Sequence, residues 1–382
     1  MPIGYLIGVA ILALGTALAV RPPRPARSSR NNLTYVLSYS QSEAPMLVFA
    51  LILASTLPPL AAGDIDSPGA WAGAGVAGVT CLGLVVLARR GLEARPVLER
   101  VLGERLARPR GLLSVARLLL FPFPVRPRVV ERVRGIRYGD AGRAHRLDVY
   151  RHRGHPAGAP VLVHMHGGGF ISGAKSREAR ALLHRLARQG WVCISANYRM
   201  RRQGAFPAPL TDLKRVIAWV REHGDEHGTD PSVLFVAGSS AGAHLASMAA
   251  LTPADPAFQP GFEEADTSVT AAIGLYGYYG PRSANLPSSP HDYVGPHAPP
   301  FLLVHGNLDT VVIPEDARRF GACLEDASEQ PVIYAELPGT QHGFDLFRTP
   351  RFEAVVCAIE AFAARVRGTS EPLGHGARTP AG

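Results

Sequence analysis

The chain changes character along its length. Pro2 to Val20 is nineteen residues without a charge, Ala44 to Gly63 is twenty, and Ser67 to Ala88 is twenty-two. A helix that crosses a bilayer needs about twenty predominantly apolar residues. The pattern therefore predicts three spanning helices, of which the third, rich in Gly and Ala, is the least hydrophobic. The first segment makes a poor cleaved signal, because no basic region precedes it and two further apolar segments follow. Beyond Val129 the apolar residues fall into short runs: Val161-Leu162-Val163, Trp191 to Ile194, Val233 to Val236, Ala272 to Tyr276, Phe301 to Val304 and Val332 to Ala335. Between them lie stretches of helical length near 176–189, 208–224, 241–251, 314–327 and 350–366. Such alternation predicts an α/β fold, a mostly parallel sheet covered on both faces. The resulting division is a membrane anchor over 1–88, a basic amphipathic segment over 89–128, one large domain over 129–367, and a polar, disordered tail over 368–382.

Chemistry concentrates at the ends of the short apolar runs. Val233 to Val236 leads into Gly238-Ser239-Ser240-Ala241-Gly242, and a helical segment follows at once. Strand, Gly-x-Ser-x-Gly, helix is the pattern of a nucleophile elbow, where a sharp turn lifts the serine hydroxyl above the sheet. Val161 to Val163 leads into His164-Met165-His166-Gly167-Gly168-Gly169-Phe170. Consecutive glycines there let backbone N–H groups converge on one oxygen, as an oxyanion hole requires. Gly168 and Gly169 are the expected donors, with the N–H of Ala241 as the third.

Phe301 to Val304 leads to Asp309, and Val332 to Ala335 leads to His342. The order Ser240, Asp309, His342 is that of an α/β-hydrolase triad. A serine hydroxyl needs a base within reach; His342 can take its proton, and Asp309 can fix the imidazole and stabilise its cation. Asp345, three residues after His342, is the rival acid. His164, His166 and His305 read as structural loop anchors. No His-Glu-x-x-His or Cys-x-x-Cys spacing occurs, so neither a metal nor a cofactor is expected.

Residues 129–367 resemble the hormone-sensitive-lipase-like group of α/β-hydrolases. His166-Gly167-Gly168-Gly169-Phe170 is similar to that group's oxyanion signature. Asn197-Tyr198-Arg199, followed by Phe206-Pro207-Ala208, Leu210, Asp212 and Trp219, matches its next strand-to-helix segment. The elbow matches too, although the group usually has Asp where Ser239 stands. The Asp309 motif looks closer to bacterial carboxylesterases and arylformamidase-like enzymes. The resemblance implies an α/β-hydrolase fold and a carboxylesterase or lipase working through an acyl-enzyme. Cleavage of amides by the same triad, and a non-catalytic membrane binding protein, are the alternatives. The group usually caps its site with helices. Here the segment between Tyr276 and Phe301, rich in Pro, Ser and Gly, reads as a loop, which leaves Gly111 to Phe121 as the candidate lid or interfacial helix.

Charge refines the picture. Residues 89–128 carry ten arginines against three glutamates, so most of the formal net charge of +9 sits there. A basic belt beside a span suits anionic lipid headgroups; a nucleic-acid partner would want basic residues spread over a folded face with aromatic platforms. Arg21, Arg24, Arg27 and Arg30 lie between the first two apolar segments, whereas the second loop holds only Asp64 and Asp66. Positive-inside counting then puts a multi-pass protein in the cell membrane with its N-terminus outside and everything after residue 88 in the cytoplasm. Cys81, Cys193, Cys323 and Cys357 show no paired spacing and read as reduced apolar residues.

Overall fold

The computed structural model describes residues 3–23, 31–64, 66–107 and 112–370. Arg24, Arg27 and Arg30, and the tail beyond Ser370, lie outside them. The apolar segments fold as α1 (Ile3–Val20), α3 (Pro45–Ala61) and α4 (Pro68–Leu92). Two stretches, Ile3–Val20 and Pro68–Leu102, are long and apolar enough to cross a membrane. The second apolar segment departs from expectation: α3 is preceded by a separate helix, α2 (Asn31–Glu43), and the two meet at 85°. Ala44 leaves the helical region at the corner (φ −131°), and Pro45 restarts the chain at the first turn, where its missing N–H costs nothing.

Small residues let the bundle close. A Cβ on Gly73 would lie 2.5 Å from Leu6, and one on Gly83 would lie 2.7 Å from Thr16, so α1 and α4 run side by side in one direction. α3 runs against them, with the Tyr5 hydroxyl 2.8 Å from Thr56 Oγ1. Ile3, Ile7, Ile11 and Leu14 on α1, and Val79 and Leu82 on α4, point outward.

α4 does not stop at the expected boundary. Glu93 keeps helical dihedrals (φ −70°, ψ −17°), and the chain continues as α5 (Ala94–Leu102). Ala94, Leu98 and Leu102 are buried in the core of the large domain, so this basic segment is amphipathic toward protein on its apolar side. Arg89, Arg100 and Arg105 remain on the exposed side.

The large domain is built on eight strands: β1 (Val130–Arg137), β2 (Arg146–His152), β3 (Ala159–Met165), β4 (Val192–Ala196), β5 (Thr229–Ser239), β6 (Ala271–Leu275), β7 (Phe301–Gly306) and β8 (Val332–Leu337). Their order is β1-β2-β4-β3-β5-β6-β7-β8; β1 and β2 are antiparallel and β3 to β8 are parallel. The period-two geometry of strands sorts the core. Leu162, Phe235, Ile273 and Leu302 face one layer, with α5, α7 (Arg180–Arg188) and α11 (Pro350–Ser370). Their neighbours Val163, Val236, Ala272 and Leu303 face the other, under α8 (Ala208–His223), α9 (Ala241–Leu251) and α10 (Pro314–Ala327). The segment between β6 and β7 is a loop with one short 3₁₀ turn at Pro290–Tyr293, as expected. The candidate lid is α6 (Leu112–Leu120), which rests on α3 and α11.

Candidate active site

Parallel strands deliver their following loops to one edge of the sheet, and the candidate residues meet there. Ser240 follows β5 with φ +55° and ψ −116°, a strained conformation that aims its side chain off the sheet. The elbow needs both flanking glycines. A Cβ on Gly238 would lie 2.0 Å from Gly242 O, and one on Gly242 would lie 2.0 Å from Met165 O.

His342, five residues beyond β8, faces Ser240 Oγ through Nε2 at 3.0 Å. Its Nδ1 meets Asp309 Oδ2 at 2.7 Å. Asp309 is fully buried, and burial alone would raise its pKa. The His342 charge and the hydrogen bonds from His305 and His342 outweigh that and hold the carboxyl well below the usual range. The N–H groups of Val311 and Val312 each donate to its other oxygen at 2.8 Å. Asp309 is thereby fixed as an anion facing the imidazole.

Asp345 lies deeper. It accepts hydrogen bonds from Ser239 Oγ at 2.6 Å and from the Tyr276 hydroxyl. Ser239 Oγ also lies 3.0 Å from His164 Nε2. This arrangement gives a physical reason for a serine at 239. An aspartate there would set a second carboxylate against Asp345, whereas the serine can donate to it. His164 and His166 are pushed down to about 3 and about 4, in both cases chiefly by burial, so both are neutral near pH 7. The Tyr198 hydroxyl donates to His166 O at 3.0 Å and its ring stacks on the imidazole, which ties the glycine loop to the neighbouring strand end.

Gly168 and Gly169 follow β3 with φ +107° and +61°. Only glycine fits at the first, where a Cβ would lie 2.0 Å from Ser172 O. Among the described residues no protein acceptor meets the N–H of Gly168, Gly169 or Ala241, and all three residues border the same cavity as Ser240. The neighbouring Gly167 N–H is taken by Glu178. Glu178 is buried, and burial followed by the nearby Asp345 charge lifts its carboxyl well above the ordinary range.

The cavity over Ser240 holds about 660 Å³. Tyr35 and Val36 of α2 form part of its wall, a contribution the sequence reading did not foresee. No described residue of α6, the expected lid, lines it. α2 reaches the His342 loop directly: the Tyr39 hydroxyl donates to Gly343 O at 2.8 Å, and the Tyr35 ring stands edge-on to His342 with centroids 6.0 Å apart. Glu43 at the end of α2 pairs with Arg351 at 2.5 Å, both fully buried, and Arg351 also donates to Gly339 O at 3.2 Å. The loop that carries His342 is thus held at both ends by contacts that involve α2. One signal was present in the sequence: Glu43 is the only charged residue between Arg30 and Asp64. Such an isolated carboxylate beside an apolar segment calls for a buried partner.

The BD-FAE family matches residues 147–286. The chain is 36% identical to the probable carboxylic ester hydrolase LipM of Mycobacterium tuberculosis, over 97% of this chain and 96% of that protein. That match runs through the N-terminal helices as well as the sheet domain. Esterase LipQ of the same organism is 39% identical over 69% of this chain and 68% of its own length. Among solved structures, native esterase 2 of Thermogutta terrifontis superposes with a TM-score of 0.54 at 23% identity, covering 68% of this chain and 99% of that one. A truncated carbohydrate esterase from gut microbiota gives 0.53 at 20% identity, covering 61% and 96%. These two share the fold.

Proposed function

Because the chain belongs to the hormone-sensitive-lipase-like carboxylic ester hydrolases of the α/β-hydrolase fold, we propose that it is a membrane-anchored serine esterase working through an acyl-enzyme. Ser240 Oγ attacks the ester carbonyl while His342 Nε2 takes its proton. Asp309 holds the imidazole tautomer and stabilises the cation that forms. Gly168, Gly169 and Ala241 donate their N–H groups to the carbonyl oxygen as charge develops on it. His342 then protonates the departing alcohol, and water repeats the sequence to free the acid. The observation that carries this reading is the run from Ser240 Oγ to His342 Nε2 at 3.0 Å and from Nδ1 to Asp309 at 2.7 Å, on the floor of one cavity.

Anchoring is supported by the outward apolar side chains of α1 and α4, such as Ile3 at 76% and Val79 at 71% exposure. An isolated protein in water would not present so continuous an apolar surface. Arginine placement favours a cytoplasmic catalytic domain, with Arg89, Arg100 and Arg105 turned toward anionic headgroups. The test is fluorophosphonate labelling joined to a panel of esters and anilides. Wild-type protein should label and cleave esters. Ser240→Ala should not label and should lose roughly four to six orders of magnitude in turnover. Labelling that persists in Ser240→Ala, or cleavage of anilides alone, would reject the reading.

A further inference from the structure

The cavity over Ser240 has two chemical characters. Its rim is apolar: Val36 is 66% exposed, Ile171 62% and Val311 38%. Leu33, one turn before Val36 on the same face of α2, is 64% exposed. α2 shows three faces. Ser38 and Gln41 are buried toward the bundle, Tyr35 and Tyr39 turn to the His342 loop, and Leu33 and Val36 are left outward. That outward stripe lies at the end of the bundle where α1 stops, since Arg90 donates to Val20 O at 2.7 Å and Arg90 also packs on Gly339.

The same cavity also carries positive charge. Arg177 and Arg282 both line it, and neither forms an ion pair with a described residue. Some other arginines of the domain are neutralised, as Arg199 is by Asp212 and Arg185 by Glu353 and Glu360. Arg282 is pre-ordered, its guanidinium 3.9 Å from the centroid of the Phe170 ring. The Glu178 carboxyl, which also lines the cavity, is shifted toward its neutral form by burial and by the nearby Asp345 charge. Two guanidiniums, Arg177 exposed and Arg282 half-buried, therefore border a partly apolar space without an ion-pair partner among the described residues. An anion that enters can take charge-assisted hydrogen bonds from them.

We infer that the substrate is an anionic amphiphile drawn from the bilayer, an ester whose acyl chain passes the Leu33–Val36 stripe and whose alcohol portion carries a phosphate or carboxylate that meets Arg177 and Arg282. This rests on the esterase reading above. The bond from Ser240 Oγ to the acyl carbon forms as the ester C–O bond breaks. The anionic alcohol leaves with the proton relayed by His342, and water then releases the fatty acid. A bilayer-held substrate accounts for the apolar rim, and the anion for the unpaired arginines.

The experiment uses the full chain in vesicles of ether-linked zwitterionic lipid, which offer no competing ester. Three esters of one long acyl chain are compared, with the alcohol bearing a phosphate, no charge, or a trimethylammonium group. The phosphate ester should be favoured in kcat/KM by about tenfold over the neutral one, as a pair of charge-assisted contacts predicts. In Arg177→Gln/Arg282→Gln that preference should collapse to within about threefold, and Arg177→Lys/Arg282→Lys should restore much of it. Leu33→Asp should slow the vesicle-held phosphate ester by about fivefold relative to a short, soluble phosphate ester. A wild-type preference for the neutral or cationic ester, an equal fall of all three esters in the Gln variant, or an equal effect of Leu33→Asp on soluble and vesicle-held substrates would overturn the inference. Each of those results leaves the esterase reading standing if Ser240 still labels. A protein that never labels at Ser240 fails on the earlier reading instead.

Discussion

α2 and α6 are two short helices beside the apolar bundle, and they behave in opposite ways. α6, Leu-Leu-Ser-Val-Ala-Arg-Leu-Leu-Leu, is the more apolar; it rests on α3 and α11, and none of its described side chains lines the cavity. α2, Asn-Asn-Leu-Thr-Tyr-Val-Leu-Ser-Tyr-Ser-Gln-Ser-Glu, is balanced between polar and apolar residues, and it forms a wall of the site. Closing a catalytic cleft is therefore not a matter of greasiness. The loop around His342 presents backbone carbonyls, such as Gly339 O and Gly343 O, that a purely apolar helix would bury unsatisfied. Tyrosine supplies both an apolar ring and a donor, which is why α2 can cover that loop and α6 cannot.

The sharpest way to break this contrast is Glu43→Ala. Removing one partner of a buried ion pair leaves the guanidinium of Arg351 uncompensated, at a cost of about 3–5 kcal/mol. Thermal unfolding in detergent should show the loss directly. Turnover should fall with it, because Arg351 also holds Gly339 at the start of the His342 loop. The double change Glu43→Leu/Arg351→Met should recover most of the stability, since a buried pair is often replaceable by apolar groups of similar volume. If Glu43→Ala were as stable and active as the parent, α2 would not brace the base.

Tyr39→Phe is the finer probe. It deletes one hydrogen bond to Gly343 O and keeps the ring, for a loss of about 1 kcal/mol. We expect kcat on a short ester to drop several-fold with little change in KM, as befits a residue that steadies His342 without touching substrate. A change confined to KM would assign Tyr39 to substrate contact. Leu118→Ala in α6 should complete the comparison with the smallest effect on catalysis. It empties a buried position and should cost about 2–3 kcal/mol in stability, yet kcat/KM measured below the unfolding range should match the parent. A catalytic defect there would return α6 to the role of a lid.

The same two helices show where sequence reasoning reaches and where it stops. The parallel part of the sheet was legible because its strands are short apolar runs, several of them ending in residues whose chemistry demands a particular place. Gly238-Ser239-Ser240-Ala241-Gly242, the glycines after Met165, Asp309 and His342 all fall just past strand ends, and parallel strands can only deliver them to one edge. The helices at 241–251 and 314–327 were read to the residue for the same reason. α2 was hidden because its polar residues serve two buried faces, one against the bundle and one against the His342 loop. No single hydrophobic stripe marks such a helix. The corner at Ala44 was equally invisible, since the apolar run from 44 onward reads as one straight span. Strand order depends on contacts between residues tens of positions apart, and the pairing of Asp345 with Ser239 on one across more than a hundred, which local pattern does not carry.

The unbroken passage from α4 into α5 has a mechanical meaning. Pro68–Leu102 is one helix of 35 residues, about 50 Å from end to end at 1.5 Å per residue. Its first part belongs to the bundle, and its last turns are wedged against β8 and α11. It acts as a strut. A flexible tether would let the hydrolase swing through a hemisphere of solvent and meet whatever drifts by. A strut sets the position of the cavity relative to the apolar bundle once, at folding.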